Sequence, residues 1–215
     1  MKDIDWKEIR AVSWDIDGTL YDLHAFMSLL KQDLIRRALT LRWWSLCVDV
    51  FRLVRFKLHM DQVRRNPPDY PVGTLAGRDD IAETMGRLYA HILPQIGTLP
   101  GVVALLDWIQ LNGKIQVVFS DYRQSTKLTA LNLSSYFSNV FAGEDLGNLK
   151  PSPHPFVEII EQLRIRPHQL LHIGDRVDTD GAAAEEVGFQ TAIIGADFSS
   201  ADELLKHLSG QEDSL

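Results

Sequence analysis

Short apolar runs recur along the chain, and each stops at a glycine or at a residue that can carry chemistry. Ala11-Val12-Ser13-Trp14 stops at Asp15, and Ile115-Gln116-Val117-Val118-Phe119 at Ser120-Asp121. Leu170-Leu171-His172-Ile173 stops at Gly174-Asp175, Thr191-Ala192-Ile193-Ile194 at Gly195, and Asn139-Val140-Phe141-Ala142 is a weaker fifth run. Runs this short, with little polar alternation, read as strands covered on both faces, which means a parallel sheet. Between them the period changes. Gly101 to Leu111 places Val102, Leu105, Leu106 and Ile109 at helical spacing and closes with Asn112-Gly113. Pro153 to Leu163 does the same with Phe156, Ile159, Ile160 and Leu163, and the alanine-rich stretch Gly181 to Val187 ends at Gly188. Strands alternating with helices predict an α/β fold, a doubly wound parallel sheet.

Residues 22 to 98 break that rhythm. They read as mainly helical, interrupted by a Pro/Gly-rich break from Asn66-Pro67-Pro68 through Gly77. The expected division is therefore an α/β core of residues 1–21 and 99–215 with a helical cap, residues 22–98, inserted after the first strand. Trp43, Leu46, Cys47, Val50, Phe51 and Val54 fall at helical spacing and predict one packed helix face. A dimer face or a membrane-surface helix are the other readings of this basic, aromatic stretch from Arg42 to Met60.

Composition narrows the class. The 215 residues are 45% hydrophobic and 24% charged, the balance of a folded globular protein. The net charge of −7 argues against general nucleic-acid binding, which needs a basic face. The charge is uneven: Lys31 to Arg65 holds nine basic and three acidic residues, a local +6, and the remainder carries −13. A single cysteine, Cys47, forms no disulfide within the chain, which suits the cytoplasm. No stretch reaches the ~20 uncharged residues that would span a bilayer, and the charged N-terminus does not read as a signal peptide.

The strand ends hold the candidate chemistry. In a parallel sheet with right-handed crossovers every strand presents its carboxyl end to one edge, where ligands bind. That edge gathers Asp15 and Asp17, Ser120 and Asp121, and Asp175, with Asp178 and Asp180 just beyond. Convergent carboxylates repel one another unless a cation sits among them, and hard oxygen donors favour Mg²⁺.

Asp15-Ile16-Asp17-Gly18-Thr19-Leu20 after a strand resembles the first motif of the haloacid dehalogenase-like (HAD) superfamily. Ser120 after a second strand, Lys150-Pro151 before a helix, and Gly174-Asp175-Arg176-Val177-Asp178-Thr179-Asp180 after a later strand match its other motifs, in order. The resemblance covers residues 11–21 and about 99–196 and points to the branch of phosphoglycolate phosphatase-like enzymes with a cap between motifs one and two. It implies Asp15 as nucleophile forming an aspartyl-phosphate, and Asp17 as acid and base. It further implies Ser120 and Lys150 on the phosphoryl group, and Mg²⁺ held by Asp15, the Asp17 carbonyl and Asp175, with either Asp178 or Asp180, the latter favoured by its spacing, orienting a metal water. Asp17 also sets the chain apart from dehalogenases, which lack that carboxylate.

The implied reaction is Mg²⁺-dependent hydrolysis of a small phosphorylated metabolite, by a monomer or a homodimer formed through the cap. Three other readings share the motifs: a sugar phosphomutase, a phosphatase for a membrane-associated substrate, and a non-catalytic interaction protein. Asp121 stands where the family more often has asparagine; it adds negative charge near an anionic substrate unless it points away or pairs with Arg123. Asp121 and Arg123 are carried as candidate substrate contacts, as is His154, whereas His172, inside an apolar strand, reads as a core histidine.

Overall fold

The computed structural model describes residues 4–39, 43–65, 79–123 and 125–212. Its five strands are β1 (Ala11–Trp14), β2 (Ile115–Ser120), β3 (Asn139–Ala142), β4 (Leu170–Gly174) and β5 (Gln190–Ile193). They form one sheet in the order β3-β2-β1-β4-β5, every pair parallel. All five apolar runs are strands, the weak one as β3 at an edge. Side chains alternate across the sheet, as the pleat requires. Val12, Trp14, Val118, Leu171 and Ile173 enter one apolar cluster, and Ala11, Val117, Phe119 and Leu170 enter the other.

Helices α4 (Val102–Leu111) and α8 (Ala201–Glu212) pack together and supply Leu105, Leu106, Leu204 and Leu208 to the first cluster. Helices α6 (His154–Leu163) and α7 (Ala182–Val187) cover the opposite face, where Phe156 stacks between Phe119 and Phe189. The doubly wound α/β arrangement is thus the observed one. Helix α5 (Ser125–Ala130) follows β2.

Three helices stand between β1 and β2: α1 (Leu23–Leu39), α2 (Trp43–Arg64) and α3 (Asp79–Ile96). The Pro/Gly-rich break at 66–77 and Arg42 lie outside the described residues, and so do the Trp43 and Trp44 side chains. The expected packed face of α2 is not what its described side chains show. Val50, Phe51 and Val54 are exposed, with Phe51 at 60%, and Cys47 is exposed as well. Around Asp49 and Arg52 the contacts with α1 and α3 are polar instead, with Leu53 beside them as the apolar residue that packs on the core. Buried Asp49 accepts from Arg37 at 2.7 Å and Arg87 at 3.0 Å, and Arg52 donates to Thr84 at 2.9 Å. Farther along, Met60 and Val63 pack against Leu149 and Tyr122 beside the sheet edge. Ion pairs satisfied between helices outweigh the apolar stripe in setting the rotation of α2. No described helix is long and apolar enough to cross a membrane.

Candidate active site

The register of β1 on its neighbours builds the site. Trp14 stands opposite Ile173 on one side and Val118 on the other, so Asp15, Ser120 and Asp175 emerge at the same edge. The Asp15 N–H donates to the Ile173 carbonyl at 2.8 Å, tying the loop after β1 to the end of β4. This is the point where the chain, having laid β2 and β3 on one side of β1, crosses to lay β4 and β5 on the other. Open α/β sheets bind ligands in the crevice at such a switch.

Two glycines let the loops close up. Gly18 has φ +86, and a Cβ there would lie 2.2 Å from Asp175 Oδ2. At Gly174 a Cβ would lie 2.5 Å from the Asp180 carboxyl. Any side chain at either position would push one of the acids out of the cluster.

Asp15, Asp175 and Asp180 bring carboxylate oxygens within 4.8 Å of one another. Lys150 Nζ, nearly buried, donates to Asp15 Oδ1 and, at 2.8 Å, to Asp180 Oδ1. Burial pushes the Asp15 carboxyl up to about 8, aided by Asp180 and Asp17 and opposed by Lys150. Burial, with Asp180 alongside, pushes Asp175 up to about 6. Asp180 is also raised by burial, yet Lys150 and His172 carry it well below the usual carboxylate range. One ammonium facing three carboxylates leaves an excess of negative charge, and all three donors are hard oxygens. That set fits Mg²⁺.

Asp180 sits in a single π-helical turn, Val177–Gly181, a distortion frequent at functional sites. The turn aims Asp180 inward, while Asp178 pairs with Arg176 at the surface at 2.6 Å. His172 completes the setting. Burial lowers its pKa, so the neutral ring donates from Nε2 to Asp180 at 3.1 Å and accepts from the Ser13 hydroxyl at Nδ1, 3.1 Å. Both ring nitrogens are satisfied in the core.

Asp17 has a partner that the sequence did not single out. Lys127 of α5, with a fully buried side chain, donates to both Asp17 oxygens at 2.5 and 2.6 Å, and the Tyr21 hydroxyl donates to Oδ1. Burial alone would raise Asp17; Lys127 and Tyr21 hold it below its ordinary value. Lys127 also lies 4.3 Å from the centre of the Tyr89 ring of α3. Nothing in Ser125-Thr126-Lys127-Leu128 marks this lysine. Its only sequence signal is its place in the first turn of the helix after β2, a strand that pairs with β1.

The remaining candidates are placed as follows. Ser120 is buried at the end of β2. The Asp121 carboxylate accepts from the Lys150 backbone N–H at 2.8 Å and so fixes the start of that motif. Arg123 is exposed and donates to Asp145 at 2.6 and 2.9 Å. His154 is exposed at the start of α6.

Comparison with known proteins agrees with this geometry. The haloacid dehalogenase-like hydrolase family matches residues 9–188. The phosphoglycolate phosphatase of Aquifex aeolicus is 34% identical over 190 residues, covering 86% of this chain and 84% of that protein. The glyceraldehyde 3-phosphate phosphatase of Methanopyrus kandleri is 25% identical over 199 residues, with the same coverage of 86% and 84%. Among solved structures, a HAD phosphatase from Thermococcus onnurineus superposes with a TM-score of 0.63 at 22% identity, covering 94% of this chain and 99% of that one.

Proposed function

The chain belongs to the haloacid dehalogenase-like hydrolases and is a phosphatase of that family; from that premise we propose that it hydrolyses a small phosphorylated metabolite, with Mg²⁺, through an aspartyl-phosphate on Asp15. The observation that carries this reading is the convergence of Asp15, Asp175 and Asp180 on Lys150 at the carboxyl edge of the sheet. The relatives' names support a phosphomonoester as substrate. In this reading residues 22–98 form a cap over the core, and the enzyme works in the cytoplasm.

Asp15, Asp175 and the backbone carbonyl of Asp17 would hold Mg²⁺, with Asp180 beside them; when bound, it supplies neutralising charge for the phosphoryl oxygens. Every step is then assigned to side chains of this chain. Asp15 attacks phosphorus as the ester P–O bond breaks, and Asp17 gives a proton to the departing alkoxide. Asp17, now ionised, takes a proton from water; that water attacks phosphorus, the Asp15–phosphorus bond breaks and phosphate leaves. Lys127 holds Asp17 ionised, the form needed in the second half. For the first half Asp17 must receive a proton, and a phosphomonoester, whose second pKa is near 6, can bring it. Lys150 and Ser120 position the phosphoryl oxygens, a task of placement and charge rather than of elaborate side chains.

The test is phosphate release from a panel of phosphorylated metabolites with and without Mg²⁺. Release is expected to need the metal and to fall on the order of 10⁴-fold or more in Asp15→Asn. Release that survives this substitution at the wild-type rate overturns the proposal.

A further inference from the structure

Between α1, α2 and α3 lies a cavity of about 490 Å³ that opens on Asp17. This volume falls within the usual range of small-molecule sites, roughly 300–1,000 Å³. Its walls are apolar: Phe26 and Leu30 from α1, Leu53, Phe56 and Met60 from α2, and Met85 from α3. Among the described residues its charged lining is Asp17 itself, Asp61, and two lysines, Lys31 and Lys57, that are both exposed and therefore at the rim. Tyr21 and Tyr89 also border the cavity; the Tyr21 hydroxyl is already directed to Asp17 and the Tyr89 hydroxyl is engaged by Lys127.

We propose that this cavity receives the alcohol half of the substrate and that this half is apolar, an aliphatic or aromatic group of several carbons. The inference rests on the phosphatase reading, because that reading puts Asp17 at the leaving oxygen. Whatever is bonded to that oxygen must then project into the space Asp17 borders. A carboxylate or polyol placed there would leave water without the buried donors that compensate such a loss. An apolar group loses nothing and gains the burial of its own surface and of the cavity wall. Met27, Met60 and Met85 suit such a ligand, since their unbranched side chains adjust to irregular apolar shapes. The named relatives act on small polar phosphates, so the proposal separates this chain from them in substrate class.

The experiment measures kcat/KM for n-alkyl phosphates from ethyl to octyl, together with phosphoglycolate and glyceraldehyde 3-phosphate. Each methylene that enters the cavity is expected to raise kcat/KM about three- to fourfold until the cavity is full. A flat or falling series, or phosphoglycolate outrunning octyl phosphate, overturns the proposal. Acetyl phosphate, whose two-carbon leaving group fills little of the cavity, reports the phosphatase reading separately. Turnover of acetyl phosphate alongside a flat series sinks only the apolar-substrate proposal. If no ester is hydrolysed, calorimetric binding of methyl- against octylphosphonate still decides whether the cavity takes an alkyl chain; equal affinities refute it. Val54→Asp, at a half-exposed wall position that tolerates charge, should flatten the chain-length dependence; an unchanged slope counts against the cavity. Phosphatidic acid in phosphatidylcholine vesicles, set against octyl phosphate in solution, then assigns the source: faster turnover of the vesicle substrate points to a membrane lipid, and slower turnover to a free phosphate ester.

Discussion

Asp15 and Asp17 stand two positions apart, yet their surroundings push their carboxyls in opposite directions. Burial raises Asp15 to about 8, whereas Asp17, also buried, is carried below its ordinary value by Lys127. Replacing Lys127 with Met keeps the volume and removes the charge, so the acidic limb of the kcat–pH profile should move upward by about one to three pH units. An unmoved limb would show that Lys127 does not set the protonation of Asp17. The raised Asp15 and Asp175 make a second prediction. Both bind protons more tightly folded than unfolded, so the metal-free protein should lose stability as pH rises from about 4 toward 8. Mg²⁺ should therefore raise Tm more at pH 8 than at pH 5, because the metal takes the place of those protons; an equal rise at both values, read in a thermal melt, contradicts this. The cluster of acids was legible because each acid ends an apolar run or sits in a recognisable motif. Lys127 was not legible, because its burial comes from α5 packing on α3, a contact between segments some forty residues apart that leaves no local pattern.

At the level of elements, the sheet was readable almost residue by residue, because a strand covered on both faces is a bare apolar run between polar stops. Helix α8 was not foreseen: only Ala201, Leu204 and Leu208 are buried along it, too sparse a pattern to stand out. Helix α2 shows the opposite failure, a clear apolar stripe on the wrong side. Its periodicity is real, but Asp49 meets Arg37 and Arg87 from two other helices, and those pairings are invisible in a single helical window. The difference is measurable. Phe51→Ser, at an exposed position, should change stability by no more than about 0.5 kcal/mol. Asp49→Ala, which strips the shared acceptor from two arginines, should cost about 1–3 kcal/mol. Denaturant titration of the two variants decides it, and equal costs would mean that the polar contacts do not fix the helix.

For the molecule as a whole, the insertion between β1 and β2 concentrates the positive charge of Lys31 to Arg65 beside a core of net negative charge. A positive field near the site draws anionic substrates in, and salt should weaken it. The strand order carries a different consequence, in time rather than in space. β1 lies at the middle of the sheet, but it is the first strand to leave the ribosome, and its two neighbours, β2 and β4, come much later. About 155 residues separate its end from the start of β4, which at 5–20 residues per second is roughly 8–30 s of synthesis. Until β2 is made the strand before Asp15 is an apolar segment with no sheet to join, and its β4 edge stays open through the whole interval. Nascent chains halted near residue 160 should therefore be digested by protease at β1, while chains released at full length resist. Equal resistance of the two would mean that α1 to α3 shelter the strand alone. Asp15 is thus made well before the strand that completes its surroundings, and a newly made molecule has no acidic cluster until β4 has been added.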